Sequence, residues 1–267
     1  MIRRASNAVR AFDTTHHTDA SYTGPRTIAA VPQRPTLRSI CLQEGDTLPT
    51  LVGTSQKLFK IRLADSGGHL SSTSYLLKRR YAWRGYEVEG IDKQSPNRIA
   101  LSACDHEERV VATISVGLDS SAGLFVDALY RDEVERVRAG ERRVCEFTKL
   151  AIDETVRSKP VLASLFHIAF IYARRINRCT DLFIELNPRH VSFYKRMLGF
   201  DEWGSPRFDP RVGAPAVLMR LDLDYAEQQI QALGGQPDLG ATKRSLYPYF
   251  FSAREEIAIV HRLRALD

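Results

Sequence analysis

The sequence contains no apolar run of the roughly 18 to 20 residues that a helical bilayer span needs. Its longest apolar stretch, around residues 162–173, is interrupted by His167, so no spanning helix is expected. Cysteine is sparse: Cys41, Cys104, Cys145 and Cys179 lie far apart without a CxxC pair, which argues against a zinc cluster and a thioredoxin-like site. Four ordinary thiols remain. Arg3 and Arg4 are followed by no apolar run, so neither a secretory nor a twin-arginine signal is expected and a cytoplasmic location is. A basic block is missing too. The formal charge is +6 and the pI about 9.2, yet bases are scattered among acids. No zinc finger, RNA-recognition aromatic motif or basic region with heptads occurs, so nucleic acid is not indicated; the charge equally suits an acidic protein partner. There is no internal repeat.

The chain has 267 residues with 43% hydrophobic content, enough for one large core with extensions. Its most patterned stretch covers residues 144–200. Val144, Glu146, Thr148, Leu150 and Ile152 share one face of a predicted strand, and Cys145, Phe147, Lys149 and Ala151 the other. Both faces are partly apolar, as in a buried strand. Pro160 opens a helix in which Val161, Leu162, Leu165, Ala169, Tyr172 and Ile176 recur at helical spacing, with Arg174, Arg175 and Arg178 toward its negative end. Leu182, Ile184 and Leu186 mark a second strand, parallel to the first through a crossover. Asn187 caps a short helix with Pro188 at its first position; Gly199 closes it, with Phe200 beyond as a hydrophobic contact.

On either side the pattern is weaker. Residues 1–50 are polar and proline-bearing, show no periodic segment, and read as an extension; the adjacent His16 and His17 lack companion ligands for a metal. The sheet is predicted to begin with Leu58, Phe59, Ile61 and Leu63. A helix over 71–84, ended by Gly85, precedes a hairpin of strands at 97–102 and 110–118, and a helix follows over 124–139. After a loop over 203–213 come a strand at 216–223, a helix at 225–233 and a terminal helix whose stripe is Ile257, Val260, Leu263 and Leu266. The predicted organisation is thus an extension (1–50), a core (51–223) and a helical C-terminal extension docked on it (224–267).

NPRHVSFYKRMLGF, at the end of the strand, helix, strand, helix unit, resembles motif B of the GCN5-related N-acetyltransferase (GNAT) superfamily of acyltransferases. CEFTKLAI looks like the strand of acyl-homoserine lactone synthases that carries a glutamate, a hydroxyl residue and a cation, here Glu146, Thr148 and Lys149. YLLKRRYAWRGYEVEG resembles their N-terminal helix and, more closely, that of long-chain N-acyl amino acid synthases of the FeeM type; with YPYFF near the C-terminus, the latter match runs from about Leu58 to the end. The resemblance implies an α/β (α+β) fold with a mixed, mostly antiparallel central sheet flanked by helices. One departure is informative. Members that use coenzyme A carry a glycine-rich pyrophosphate loop after this strand, whereas residues 153–160 read DETVRSKP, with no glycine and two acids. The resemblance together with this loss implies an acyl chain delivered on the phosphopantetheine of acyl carrier protein, with no free nucleotide cofactor and no metal.

Amide formation needs a neutral amine, a polarised thioester carbonyl and a proton for the leaving thiolate. Glu146, a carboxylate on a core strand, is the expected base; its alternative is a structural glutamate paired with Lys149 or an arginine. Tyr194, matching the superfamily tyrosine, is expected to protonate the thiolate. Arg80 and Trp83 on the early helix, Phe147 and Thr148 on the strand, and Asn187 at the cap are expected to line the substrate site. Lys149, on the opposite face from Glu146 in a regular strand, is grouped with Arg189, Lys195 and Arg196 as the cations facing acyl carrier protein. The expected activity is transfer of a long-chain fatty acyl group to the α-amine of an amino acid. The alternatives are an acyl-homoserine lactone synthase using S-adenosylmethionine and a non-catalytic module that binds acyl chains or acyl carrier protein.

Overall fold

In the computed structural model, which describes residues 27–32, 58–65, 67–91, 97–156 and 158–265, the sheet is built outward from strands whose sequences are apolar on both faces. β1 (Thr27–Pro32), β2 (Leu58–Leu63), β3 (Arg98–Cys104), β4 (Val110–Leu118) and β5 (Val144–Ile152) pair antiparallel in chain order. Thr113, Ile114 and Val116 of β4 are fully or almost fully buried, as a β-branched central strand should be. Asp105 makes the β3–β4 turn by accepting the amides of Glu107 and Arg109 at 2.9 and 3.0 Å. Two helices join this half to its neighbours: α1 (Gly67–Ala82) between β2 and β3, and α2 (Asp127–Arg138) between β4 and β5.

The second half begins at α3 (Lys159–Phe170), capped by the Ser158 hydroxyl and prolonged by a π-helical turn, Ile171–Ile176. It leads to β6 (Asp181–Leu186), which lies parallel to β5 as expected, but pairs only through Val144↔Asp181, Cys145↔Leu182 and Glu146↔Phe183. Beyond Glu146 the two strands part. A short turn and α4 (Val191–Leu198) follow; Gly199 ends the helix at φ 79°, and a Cβ there would meet the Tyr225 ring at 2.4 Å, so only glycine fits. β7 (Asp201–Glu202), β8 (Arg207–Asp209) and β9 (Ala214–Asp222) complete a sheet of order β1-β2-β3-β4-β5-β6-β9-β7, with β8 on β9. Asp222 caps α5 (Leu223–Leu233) through two amides, and α6 (Ala253–Arg264) starts with a Ser252/Glu255 capping box.

Four elements differ from the sequence reading. Residues 27–32, assigned to the aperiodic extension, form an edge strand, because Ile28 and Ala29 are buried and Arg262 of α6 donates to the Ile28 carbonyl at 2.6 Å. The loop over 203–213 contains β8, too short for a visible alternation. The inward stripe of α6 is Glu256, Ile259 and Leu263, while Ile257 is 64% exposed, because Glu256 turns in to meet His167 and Arg175. Finally, β5 is not regular. Lys149 adopts φ 53°, and two residues of β5 lie between partners that one residue separates on β4, which is a β-bulge. His16, His17, Cys41 and Leu266 lie outside the described residues.

Candidate active site

Where β5 and β6 part, a cavity of about 1090 Å³ opens between the strand ends, α1, α4 and the β8–β9 hairpin. Ile114, Phe147, Phe166, Ile184 and Phe193 give it an apolar interior. That size is at the upper end for ligand pockets, which run roughly from 300 to 1,000 Å³. Phe147 and Thr148 line it as expected, as do Arg80, Asn187 and Tyr194. Tyr194 packs edge-on against Phe166 and Phe200, with ring centroids 6.2 and 5.6 Å apart, and burial pushes its phenol far above the ordinary range. Tyr81 of α1 stands beside it and is itself pushed up to about 12 by burial. Both phenols hold their protons at neutral pH. The Thr148 hydroxyl is buried without a hydrogen-bond partner among the described residues.

Glu146 is not part of the cavity wall. Its side chain is fully buried, with Oε1 accepting the Phe125 amide at 2.9 Å and Oε2 the Val126 amide at 3.1 Å. Arg98 Nη1 stands 2.7 Å from Oε1 as an ion-pair partner, and its guanidinium lies 3.7 Å from the centroid of the Phe125 ring. Burial pushes the Glu146 carboxyl up, while Arg98 and the two amides oppose that shift. With both oxygens engaged, Glu146 anchors the turn that carries Phe125 and Val126, which do line the cavity. This is the expected structural alternative, with Arg98 as the partner in place of Lys149.

The cations divide differently from the sequence grouping. The bulge turns Lys149 inward: its ammonium donates to the Gly90 carbonyl at 2.7 Å and lies 5.6 Å from the centre of the Phe125 ring. Lys195 pairs with Glu202 at 3.1 Å, and with Arg196 it lines a separate cavity of about 330 Å³ against α5. Of that group Arg189 and Lys149 line the main cavity, and Lys195 and Arg196 do not. Trp83 is 70% exposed and off the cavity, between the guanidinium groups of Arg80 and Arg84, so it is neither a lining residue nor core.

Arg84 Nη1 lies 3.3 Å from His190 Nε2, and Arg189 Nε donates to the same nitrogen at 3.1 Å. Arg189 also donates to the Tyr86 hydroxyl at 3.2 Å, and Asn187 does so at 3.1 Å. Burial, then Arg189 and Arg84, push His190 down, so it stays neutral; burial, then Arg189 and Arg80, lower Arg84. Like charges gathered around a neutral acceptor at a cavity mouth leave a positive potential there. The loop with no glycine is spoken for as well: Asp153 pairs with Arg79, and Glu154 with Arg80 at 3.3 Å. At the opposite wall, Glu185 of β6 meets Arg211 at 2.7 Å.

The model of the FeeM family of N-acyl amino acid synthases matches residues 72–222. The chain belongs to that family. FeeM from uncultured soil microbes is similar in structure, with 25% identity, a TM-score of 0.59 and coverage of 66% of this chain and 96% of FeeM. The AHL synthase LasI has 13% identity and a TM-score of 0.46 over 64% of this chain and 91% of its own. A putative N-acetyltransferase from Lactobacillus plantarum has 17% identity and a TM-score of 0.45 over 62% and 98%. No curated protein sequence matches. The fold is therefore shared with FeeM, a mixed α/β fold with a largely antiparallel sheet flanked by helices, and this FeeM-family member is an N-acyltransferase. No described helix is long and apolar enough to cross a membrane.

His190 shares a helix face with Tyr194 at i, i+4 in the sequence, but Arg84 and Tyr81, and their meeting with that face, escape a sequence reading because nothing in their spacing shows that the end of α1 meets the start of α4. Glu185 was legible only as the polar position of an alternating strand.

Proposed function

We propose that this enzyme joins a long-chain fatty acyl group, carried as a thioester on the phosphopantetheine of acyl carrier protein, to the α-amine of an amino acid. The observation that carries the reading is the large apolar cavity at the parting of β5 and β6, entered past Arg84 and Arg189. An acetyl group would leave most of such a volume unfilled, whereas an extended chain buries roughly 0.8 kcal/mol per methylene. The phosphodiester of phosphopantetheine suits the cationic mouth, and an acidic carrier suits the same potential. Asp153 and Glu154, where a nucleotide pyrophosphate would need amides, disfavour coenzyme A. In this reading Tyr194, held protonated, gives its proton to the departing thiolate, and Asn187, Thr148 and Phe147, which line the cavity, hold the substrates. Lys149 acts from inside the site, with Arg80 beside the acceptor.

Purified enzyme supplied with a palmitoyl thioester, once on acyl carrier protein and once on coenzyme A, together with a mixture of amino acids, tests this directly. The expected product is N-acyl amino acid from the carrier-bound donor, identified by mass spectrometry. An acyl-homoserine lactone formed with S-adenosylmethionine, or no amide from either donor, overturns the reading.

A further inference from the structure

Glu185 lies one turn of the pleat beyond the last β5–β6 pair, on the strand that walls the cavity. Its side chain is 13% exposed. Oε1 accepts from Arg211 Nη2 at 2.7 Å; Oε2 is buried and meets no donor among the described residues, and the Glu185 carboxyl, when protonated, hydrogen-bonds Asp209. Two neighbouring carboxyls do not both ionise readily, so this pair on the cavity wall is a site where a proton can be taken up and released. Arg211 is fixed in turn: Asp209 accepts from its Nε at 2.9 Å and its Nη2 at 3.0 Å, and the Phe125 carbonyl accepts from Nη1 at 2.8 Å.

The titratable and charged groups facing Glu185 are Asp209 and Arg211 from the β8–β9 hairpin and Tyr130 from α2, whose hydroxyl donates to the Ala216 carbonyl at 2.8 Å. Burial, then the adjacent Asp209 carboxylate, push Glu185 up to about 8, against Arg211. Burial works on Asp209 in the same direction, but Arg211 holds it low and ionised.

We infer that Glu185 takes the proton from the acceptor's ammonium group, and that Asp209 is a positioning residue that sets the pH at which it does so. The assignment rests on the acyl-transfer reading above. The ammonium gives one proton to the Glu185 carboxylate, and the neutral nitrogen attacks the thioester carbonyl. A carbon–nitrogen bond forms and the carbon–sulfur bond breaks. The nitrogen loses its second proton, the thiolate gains one, and the proton on Glu185 passes to solvent. A carboxylate that titrates near the working pH is matched to this task.

The test is the pH profile of kcat/KM for acyl transfer by wild type, Glu185→Gln and Asp209→Asn, with each variant's melting temperature as the check on folding. Glu185→Gln is expected to lower kcat by about 10²- to 10⁴-fold with KM for the acyl donor unchanged. Asp209→Asn is expected to move the acidic limb to lower pH by roughly one unit, since it removes the like charge that keeps Glu185 protonated. An infrared titration of the wild type should show a carboxylic acid band that disappears near pH 8 and is missing from Glu185→Gln. If wild type is active and Glu185→Gln stays within about threefold of it, this assignment alone falls. If wild type transfers no acyl group from either donor, the functional reading falls and takes this assignment with it.

Discussion

The backbone N–H of Phe251 donates to Nδ1 of His167 at 2.9 Å, which fixes the C-terminal segment to the last turn of α3. The imidazole is fully buried and stacked on the rings of Phe250 and Phe251, at centroid distances of 4.8 and 5.5 Å. Since Nδ1 accepts, the ring proton sits on Nε2, which faces Glu256 Oε2 at 3.3 Å. Burial pushes His167 down from its ordinary value near 6.5, with Glu256 opposing and Arg175 assisting. The fold therefore selects the neutral ring. Stability from this site is complete above pH 6.5 and is lost as pH falls below it, because the unfolded chain binds the proton first. The melting temperature should drop between pH 7 and 5, and His167→Gln should flatten part of that slope. His167→Ala should cost about 3 kcal/mol in urea denaturation, through the orphaned amide and the cavity left.

Gly117 faces Glu146 across the β4–β5 pair, and a Cβ on it would stand 2.9 Å from both Cγ and Oε1 of the glutamate. Glu146 cannot swing aside, since Phe125, Val126 and Arg98 hold its carboxylate. Gly117→Ala should destabilise the fold by about 1 to 3 kcal/mol through overpacking. Glu146→Gln should cost about 3 kcal/mol by leaving Arg98 without its counter-charge, yet its folded molecules should turn over within about threefold of wild type. Denaturation and turnover measured on the same preparation separate the two; a thousandfold loss of kcat in folded Glu146→Gln would return that residue to the chemistry.

Tyr194 owes its high proton affinity to burial among Phe166, Phe193 and Phe200, which the Phe replacement preserves. Tyr194→Phe should thus leave the melting temperature within a few degrees and lower kcat by about 10²-fold with little change in KM. An equal loss with an activated aryl thioester, whose thiolate needs no proton, would contradict the role.

Much of this architecture is written in the order of residues. The bounds of β5, the parallel partner β6, the Asn187 cap and the Gly199 stop each follow from local rules, and local rules act on neighbours in sequence. What escaped depends on partners far along the chain. The bulge at Lys149 breaks the period of two that the strand reading assumed, so a lysine expected to face away points into the site. The face of α6 was misplaced because Glu256 is drawn in by His167, a residue that in sequence only interrupts an apolar run. Glu146 and Glu185 look alike as carboxylates on buried strands. They are separated by what surrounds them, two amides and Arg98 in one case, a second carboxyl, Asp209, beside a cavity in the other.

The cationic mouth gives the last prediction. Arg84 and Arg189 converge on one neutral nitrogen of His190, and their described polar partners are that imidazole and the Tyr86 phenol, not carboxylates. Such an arrangement costs self-repulsion in the free enzyme and is relieved when an anion enters. Exposed charges act mainly on encounter and are screened beyond roughly 8 Å at physiological salt. Arg84→Glu and Arg189→Glu should therefore raise KM for the carrier-bound donor about tenfold at low salt, with kcat nearly unchanged and the difference shrinking as salt is added. Lys195→Glu, on the other face of α4 beside the smaller cavity, should leave that KM where it was. The reverse pattern, sensitivity at Lys195 and none at Arg84 or Arg189, would move the docking face of the carrier to α5.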